Sequence, residues 1–221
     1  MEVNFYYKVV KFMRITKIED QKKSTQRCNI YIDGEYHSSI DKDILQELKL
    51  SEGMELNEDE FNQKLEIIQY KSALRAALYI LTRSAKTEKE IKKRLKEKQH
   101  PEKAINSALE YLKEIGYIND ESYSESFIRS SKDVAGISKR TLYYKLANKG
   151  VDNVTIQQKL EEAEIDDYAS AMKAAQKKAA SIKGDKRERA SKLLGFLYRK
   201  GYSMDVCRKI ITDLDLEEAE E

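Results

Sequence analysis

Between positions 86 and 98, seven of thirteen residues are basic: Lys86, Lys89, Lys92, Lys93, Arg94, Lys96 and Lys98. Lysine is a compact, strongly hydrated point charge that neutralises a phosphate or pairs with a carboxylate. Wound as a helix at about 100° per residue, the stretch puts Lys86, Lys89, Lys93 and Lys96 on the face opposite Ile91 and Leu95. Lys92 falls at the edge of that face. A milder version recurs where Arg140 and Tyr144 lie opposite Leu142 and Leu146. A guanidinium holds phosphate and a neighbouring ring stacks on a base, so this pairing suits nucleic acid. Lys86, Lys89, Lys92, Lys93, Lys96, Arg140 and Tyr144 are therefore the candidate contacts to a polyanion. The competing reading is a solvated helix face with no ligand.

No other chemistry is spelled out. The chain has no GxxxxGK[ST] loop, no GxGxxG and no GxSxG, and Lys183-Gly184-Asp185-Lys186 reads as a helix break. Its two histidines, His37 and His100, have no cysteine or second histidine at ligand spacing. Asp120 and Glu121 sit where a helix start favours anions. No catalytic residue, cofactor site or metal site is assigned, and the chain reads as no enzyme.

The elements that carry these residues repeat. Offset by 51 residues, Leu95, Leu146 and Leu197 coincide, as do Lys98, Lys149 and Lys200, and Ile91, Leu142 and Leu193. Downstream, Ile105, Ile156 and Cys207 match, then Leu109, Leu160 and Ile211. A fixed period of this length means stacked supersecondary units, none of which buries its apolar stripe alone. The spacing fits three helices per unit, so the fold class is mainly α: three tandem three-helix repeats in an elongated array behind a small antiparallel β unit. The expected boundaries are 1–56 for the β-rich segment, 57–117 for an entry helix and repeat one, 118–165 for repeat two, 166–214 for repeat three and 215–221 for an acidic tail.

Local signals set the element ends. Cys28, Ile30 and Ile32 alternate with other residues, Asp33-Gly34 suits a type I′ turn, and Tyr36, Ser38 and Ile40 continue on a return strand. Asp41 is placed to cap a short helix running to Leu48, with Gly53 just beyond. Asn57 with Glu60, and Thr87 with Glu90, have the spacing of a capping box. Pro101 opens the third helix of repeat one and Gly116 ends it. Ser138 and Asp185 cap later helices, and Gly150 and Gly201 close them; Gln99 takes that place in repeat one. The patterned sequence starts near Met13, an alternative start position.

The net charge of +2 hides a partition. Residues 67–118 and 166–214 each carry twelve basic and six acidic residues, whereas the segment 215–221 holds five acids and no base. A basic body with acidic flanks is a common footprint of a chain that meets polyanions. Cys28 and Cys207 are too few and too far apart for a disulfide framework. With no apolar run of 18 residues and no signal-peptide pattern, the expectation is a soluble, cytoplasmic monomer with no membrane partner.

The run Gly116-Tyr117-Ile118-Asn119-Asp120-Glu121-Ser122-Tyr123, followed by Phe127, Leu142, Leu146 and Lys149-Gly150-Val151, resembles the RecX family of recombinase regulators. Ala73-Leu74 through Leu81, then Thr87-Glu88-Lys89-Glu90 and Leu95, add to the likeness, which covers about residues 60–214. The β-rich segment resembles the N-terminal extension of Gram-positive members. The resemblance implies a crescent-like, non-enzymatic modulator that binds the RecA filament on single-stranded DNA and suppresses its extension, ATP hydrolysis and recombinase activity. The alternative is a free-standing helical protein that binds nucleic acid without sequence specificity, for which lysine-rich faces suit phosphates rather than bases.

Overall fold

The computed structural model describes residues 11–21, 26–132 and 136–215. Residues 1–10 and the acidic segment beyond Asp215 lie outside the described residues. The chain forms two compact units, one built from Met1–Tyr79 and Leu95–Tyr111 and the other from Ile80–Arg94 and Leu112–Glu221.

The first unit opens with strands β1 (Phe12–Asp20), β2 (Arg27–Ile32) and β3 (Glu35–Asp41), then helix α1 (Lys42–Glu47) and strand β4 (Glu55–Asn57). The sheet order is β3-β2-β1-β4, and every pair is antiparallel. Alternation puts Ile15, Cys28, Ile30 and Ile40 on one face, where they are buried with Ile44, Phe61 and Leu65. Asp33 and Gly34 both have positive φ (51° and 90°), the type I′ geometry that two-residue hairpins need. The three-residue strand β4 is too short to show a period of two, and nothing in its sequence announces it.

Asp41 departs from its expected role. It stands at the N-cap of α1 but its side chain makes no cap bond. Instead its Oδ1 accepts from Arg27 Nη1 at 3.2 Å and its Oδ2 from Ser72 Oγ at 3.3 Å. A buried guanidinium without a counter-charge is costly, and that demand outweighs a cap. Likewise Lys49 (φ 50°), not Gly53, takes the left-handed turn that ends α1.

Helix α2 (Glu58–Arg83) follows, capped by Asn57 Oδ1, which accepts from Glu60 N at 3.1 Å. Helices α3 (Glu88–Glu97) and α4 (Glu102–Glu114) complete the first triad, with Pro101 just ahead of α4. The second triad is α5 (Asp120–Lys132), α6 (Lys139–Lys149) and α7 (Asn153–Glu162). Its buried cluster is Ile128, Leu142, Leu146, Val151, Ile156, Leu160 and Ile165. The third is α8 (Asp167–Ala179), α9 (Lys186–Arg199) and α10 (Met204–Asp213) around Ala171, Ala175, Leu193, Leu197, Tyr202, Cys207 and Ile210. Among the described residues the fold is mainly helical with one small antiparallel sheet, as the periodicity predicts. Cys207 is wholly buried in its helix's core face, in place of the isoleucine of the repeat.

Candidate binding surface and repeat junctions

Helix α3 starts with a reciprocal capping box. Thr87 Oγ1 accepts from Glu90 N, and Glu90 Oε2 accepts from Thr87 N, both at 3.3 Å. With Ile91 and Leu95 completely buried, the lysines turn outward as the wheel predicts. Lys89, Lys93 and Lys96 are exposed, and Lys86 and Lys92 are half-buried. Lys89, Lys92, Lys93 and Lys96 all have partners within the protein. Lys96 Nζ pairs with Glu102 at 2.8 Å. The stem of Lys89 lies so close over Gly150 that a Cβ there would sit 2.4 Å from Lys89 Cδ, and its Nζ donates to Asn148 O at 3.4 Å. On the N-terminal half of α6, the Arg140 guanidinium lies 5.7 Å from the Tyr144 ring centroid. That ring is 53% exposed and meets Tyr143 edge-on at 5.6 Å. The lysine face and the Arg140–Tyr144 pair are thus separate features, with Lys89 touching α6 at the opposite end.

The clearest geometry is one that sequence reasoning misses. Thr87 Oγ1 donates to the main-chain oxygen of Lys149 at 2.6 Å. At the next boundary Ser138 Oγ and Thr141 Oγ1 donate to Lys200 O at 2.9 and 2.8 Å. Thr87 and Ser138 are in register, and so are Lys149 and Lys200, so one contact is made twice. A second contact travels with it. The free backbone N–H at the start of α3, that of Glu88, is taken by Asp120 Oδ1 at 3.2 Å, and that of Lys139 at the start of α6 by Asp167 Oδ1 at 2.8 Å. Burial pushes both carboxyls up, against the pull of those N–H bonds. In the first unit, the remaining register equivalent, Lys98 O, accepts from Arg27 Nη1 at 3.3 Å. Each second-helix end therefore gives a terminal carbonyl to a side chain from earlier in the chain, which for Lys149 and Lys200 stands at the start of the preceding triad's second helix. The register of Lys98, Lys149 and Lys200 is visible in the sequence; that it marks backbone oxygens rather than ammonium groups is not.

The glycines follow from this. Gly150 and Gly201 have φ of 93° and 88°, and a Cβ on Gly201 would lie 2.7 Å from Ser138 Oγ. Gln99 adopts the same left-handed turn at φ 62°. An ion pair adds to the first junction, where Lys149 Nζ meets Glu90 Oε1 at 2.7 Å. Burial works against ionised Glu90, but the bonds from Lys149 and the Thr87 N–H prevail and hold its carboxyl below the ordinary value. Elsewhere, an open cleft of about 660 Å³ in the first unit is lined by Arg27, Asp41, Ser72, Arg75 and His100. Burial lowers the His100 imidazole there. No group of three or more metal-ligating side chains occurs among the described residues, and no described helix is long and apolar enough to cross a membrane.

The sequence models of the regulatory protein RecX N-terminal domain and of the first and third RecX three-helix domains match residues 13–57, 73–112 and 164–211. The chain is 32% identical to "Regulatory protein RecX" of Clostridium beijerinckii over 90% of its own length and 94% of that protein. The chain belongs to the RecX family. A RecX protein of Bacillus velezensis is 31% identical over 94% of this chain and 80% of its own length. The fold agrees: a crystal structure of regulatory protein RecX superposes with a TM-score of 0.62 at 28% identity, covering 91% of this chain and 99% of that one. RecX from Lactobacillus salivarius gives a TM-score of 0.59 over 68% of this chain and 99% of its own.

Proposed function

We propose that this chain is a non-catalytic regulator of RecA that binds the RecA filament on single-stranded DNA as a monomer in the cytoplasm and suppresses filament extension, ATPase and recombinase activity. Membership of the RecX family along nine-tenths of the chain carries the reading. The geometry supports it, since tandem triads with outward cations suit the binding of a large partner. The partition into three repeats at 57–117, 118–165 and 166–214 belongs to the same proposal. The test is RecA ATP hydrolysis on single-stranded DNA with this protein titrated in. Falling hydrolysis and shorter filaments at substoichiometric protein are expected; unchanged values at equimolar protein overturn the proposal. The Arg140–Tyr144 pair favours a second reading, a free-standing binder of nucleic acid. It predicts tight, RecA-independent shifts of random single-stranded DNA.

A further inference from the structure

The third triad gathers cations at one end of α9. Lys183, Lys186, Arg187, Arg189 and Lys192 all lie at or just before its first turns. Two acids stand among them, and both are engaged. Asp185 Oδ1 accepts from Glu188 N at 2.7 Å, and Glu188 Oε2 pairs with Lys192 Nζ at 3.1 Å. Lys183 and Arg187 are exposed, and neither side chain has a hydrogen bond or ion pair among the described residues. Arg189 Nε is shielded from water and has no partner among them either. Like charges held this close repel one another until an anion joins them.

The chain itself brings an anion to the cluster. Asp215 ends α10 in a left-handed turn (φ 51°), with its N–H on Thr212 O at 2.9 Å. Its Oδ1 meets Lys186 Nζ at 3.4 Å. Residues 216–221 continue from that contact and hold Glu217, Glu218, Glu220 and Glu221 with no base. Six residues reach at most about 20 Å when extended. The helix rises only about 9 Å from Lys186 to Lys192. Reach and charge both match.

We propose that the acidic segment 216–221 docks on the start of α9, its carboxylates against Lys183, Arg187 and Arg189, and so masks this cluster from single-stranded DNA. A tether this short gives an effective concentration of order millimolar, so even weak ion pairing keeps the site occupied. The start of a helix adds its own positive potential to the attraction. Single-stranded DNA displaces the segment because it offers a longer row of charges. The proposal rests on the reading above only for the identity of that polyanion.

The test compares wild type with a version ending at Asp215, each with and without the exposed changes Lys183→Gln and Arg187→Gln. Backbone amide and arginine Nε resonances are followed by NMR, and affinity for an oligothymidine strand is measured over a salt series. Removing 216–221 is expected to shift the signals of residues 183–189 at low salt and hardly at all at high salt. Affinity for the strand should rise about threefold to tenfold at low salt. The salt slope should steepen by about 0.7 for each phosphate newly admitted. The gain should largely vanish in the Lys183→Gln, Arg187→Gln background. A gain of the same size in that background means that the glutamates act at a distance, and overturns the proposal. Unmoved signals at 183–189 overturn it, as do shifts that grow with protein concentration, which make the occupant the segment of a second copy. Affinity that is equal with and without the segment, or absent in both, removes the mask and overturns it as well. The assays contain no RecA, so failure of the RecA reading is seen separately, in the ATPase titration.

Discussion

Thr87 and Lys149, 62 residues apart, share a hydrogen bond of 2.6 Å from hydroxyl to main-chain oxygen. Thr87 is wholly buried, so its hydroxyl cannot turn to water instead. Thr87→Val keeps the shape, strands the Lys149 carbonyl and removes the cap of α3. A loss of about 2–4 kcal/mol is expected from those two costs together. Ser138→Ala should lose less, because Thr141 Oγ1 still donates to Lys200 O at 2.8 Å. Urea unfolding of the two variants checks the order.

Gly150 and Gln99 occupy the same left-handed turn with opposite constraints. Gly150→Ala meets both the positive φ and the stem of Lys89, and is expected to destabilise by at least about 1–2 kcal/mol. Gln99→Gly relieves the strain of a side chain at φ 62° and should be neutral or stabilising by up to about 1 kcal/mol. Equal effects of the two changes would contradict the close approach at Gly150.

The Glu90–Lys149 pair sets a pH dependence. A carboxyl held below its unfolded value contributes stability that is fully present above that value, near 4.5, and is lost as pH falls through the folded one. Glu90→Gln keeps the capping spacing but not the charge. It should be less stable than wild type at pH 7 by about 1 kcal/mol or less, the pair being partly exposed. The gap should close as pH falls from 4.5 through the lowered folded value. Asp120, raised by burial, runs in the opposite sense in both proteins and cancels in the comparison. A gap that persists in acid would assign the effect to packing.

The lysine face yields a graded expectation. If all four lysines met single-stranded DNA phosphates, changing Lys86, Lys89, Lys93 and Lys96 to Ala would flatten the salt slope by about 2.8. Lys89 and Lys96 are already engaged at Asn148 and Glu102. Lys93 too has a partner within the protein, so the expected change is well below about 2.8, each lysine counting only as far as it leaves that partner for a phosphate. No change in the quadruple variant would leave these residues as solvation.

Much of this fold is legible because its signals are local or periodic. The 51-residue register, the Thr87–Glu90 box, the Asp33-Gly34 turn and the caps at Ser138 and Asp185 each depend on residues within one turn or one period. Asp41 misleads because its partners, Arg27 and Ser72, come from other elements, and a cap signal carries no information about them. The wheel orients the lysine face correctly but cannot show that Lys89 is drawn to a glycine 61 positions away. The junctions stay hidden for a simple reason. Their acceptors are backbone oxygens, which every residue has, so only the hydroxyl donors leave a trace in the sequence.

A contact made of one hydroxyl and one main-chain oxygen asks almost nothing of the rest of its module. Thr87 and Ser138 do the same work on the same atom, so they are interchangeable parts. A duplication of one period would arrive with its own donor at one end and its own acceptor at the other. Excision of the second triad would leave Thr87 facing the carbonyl of Lys200, a combination of the pieces the chain already uses. Such a chain can change length in evolution by whole units without a new boundary being invented each time.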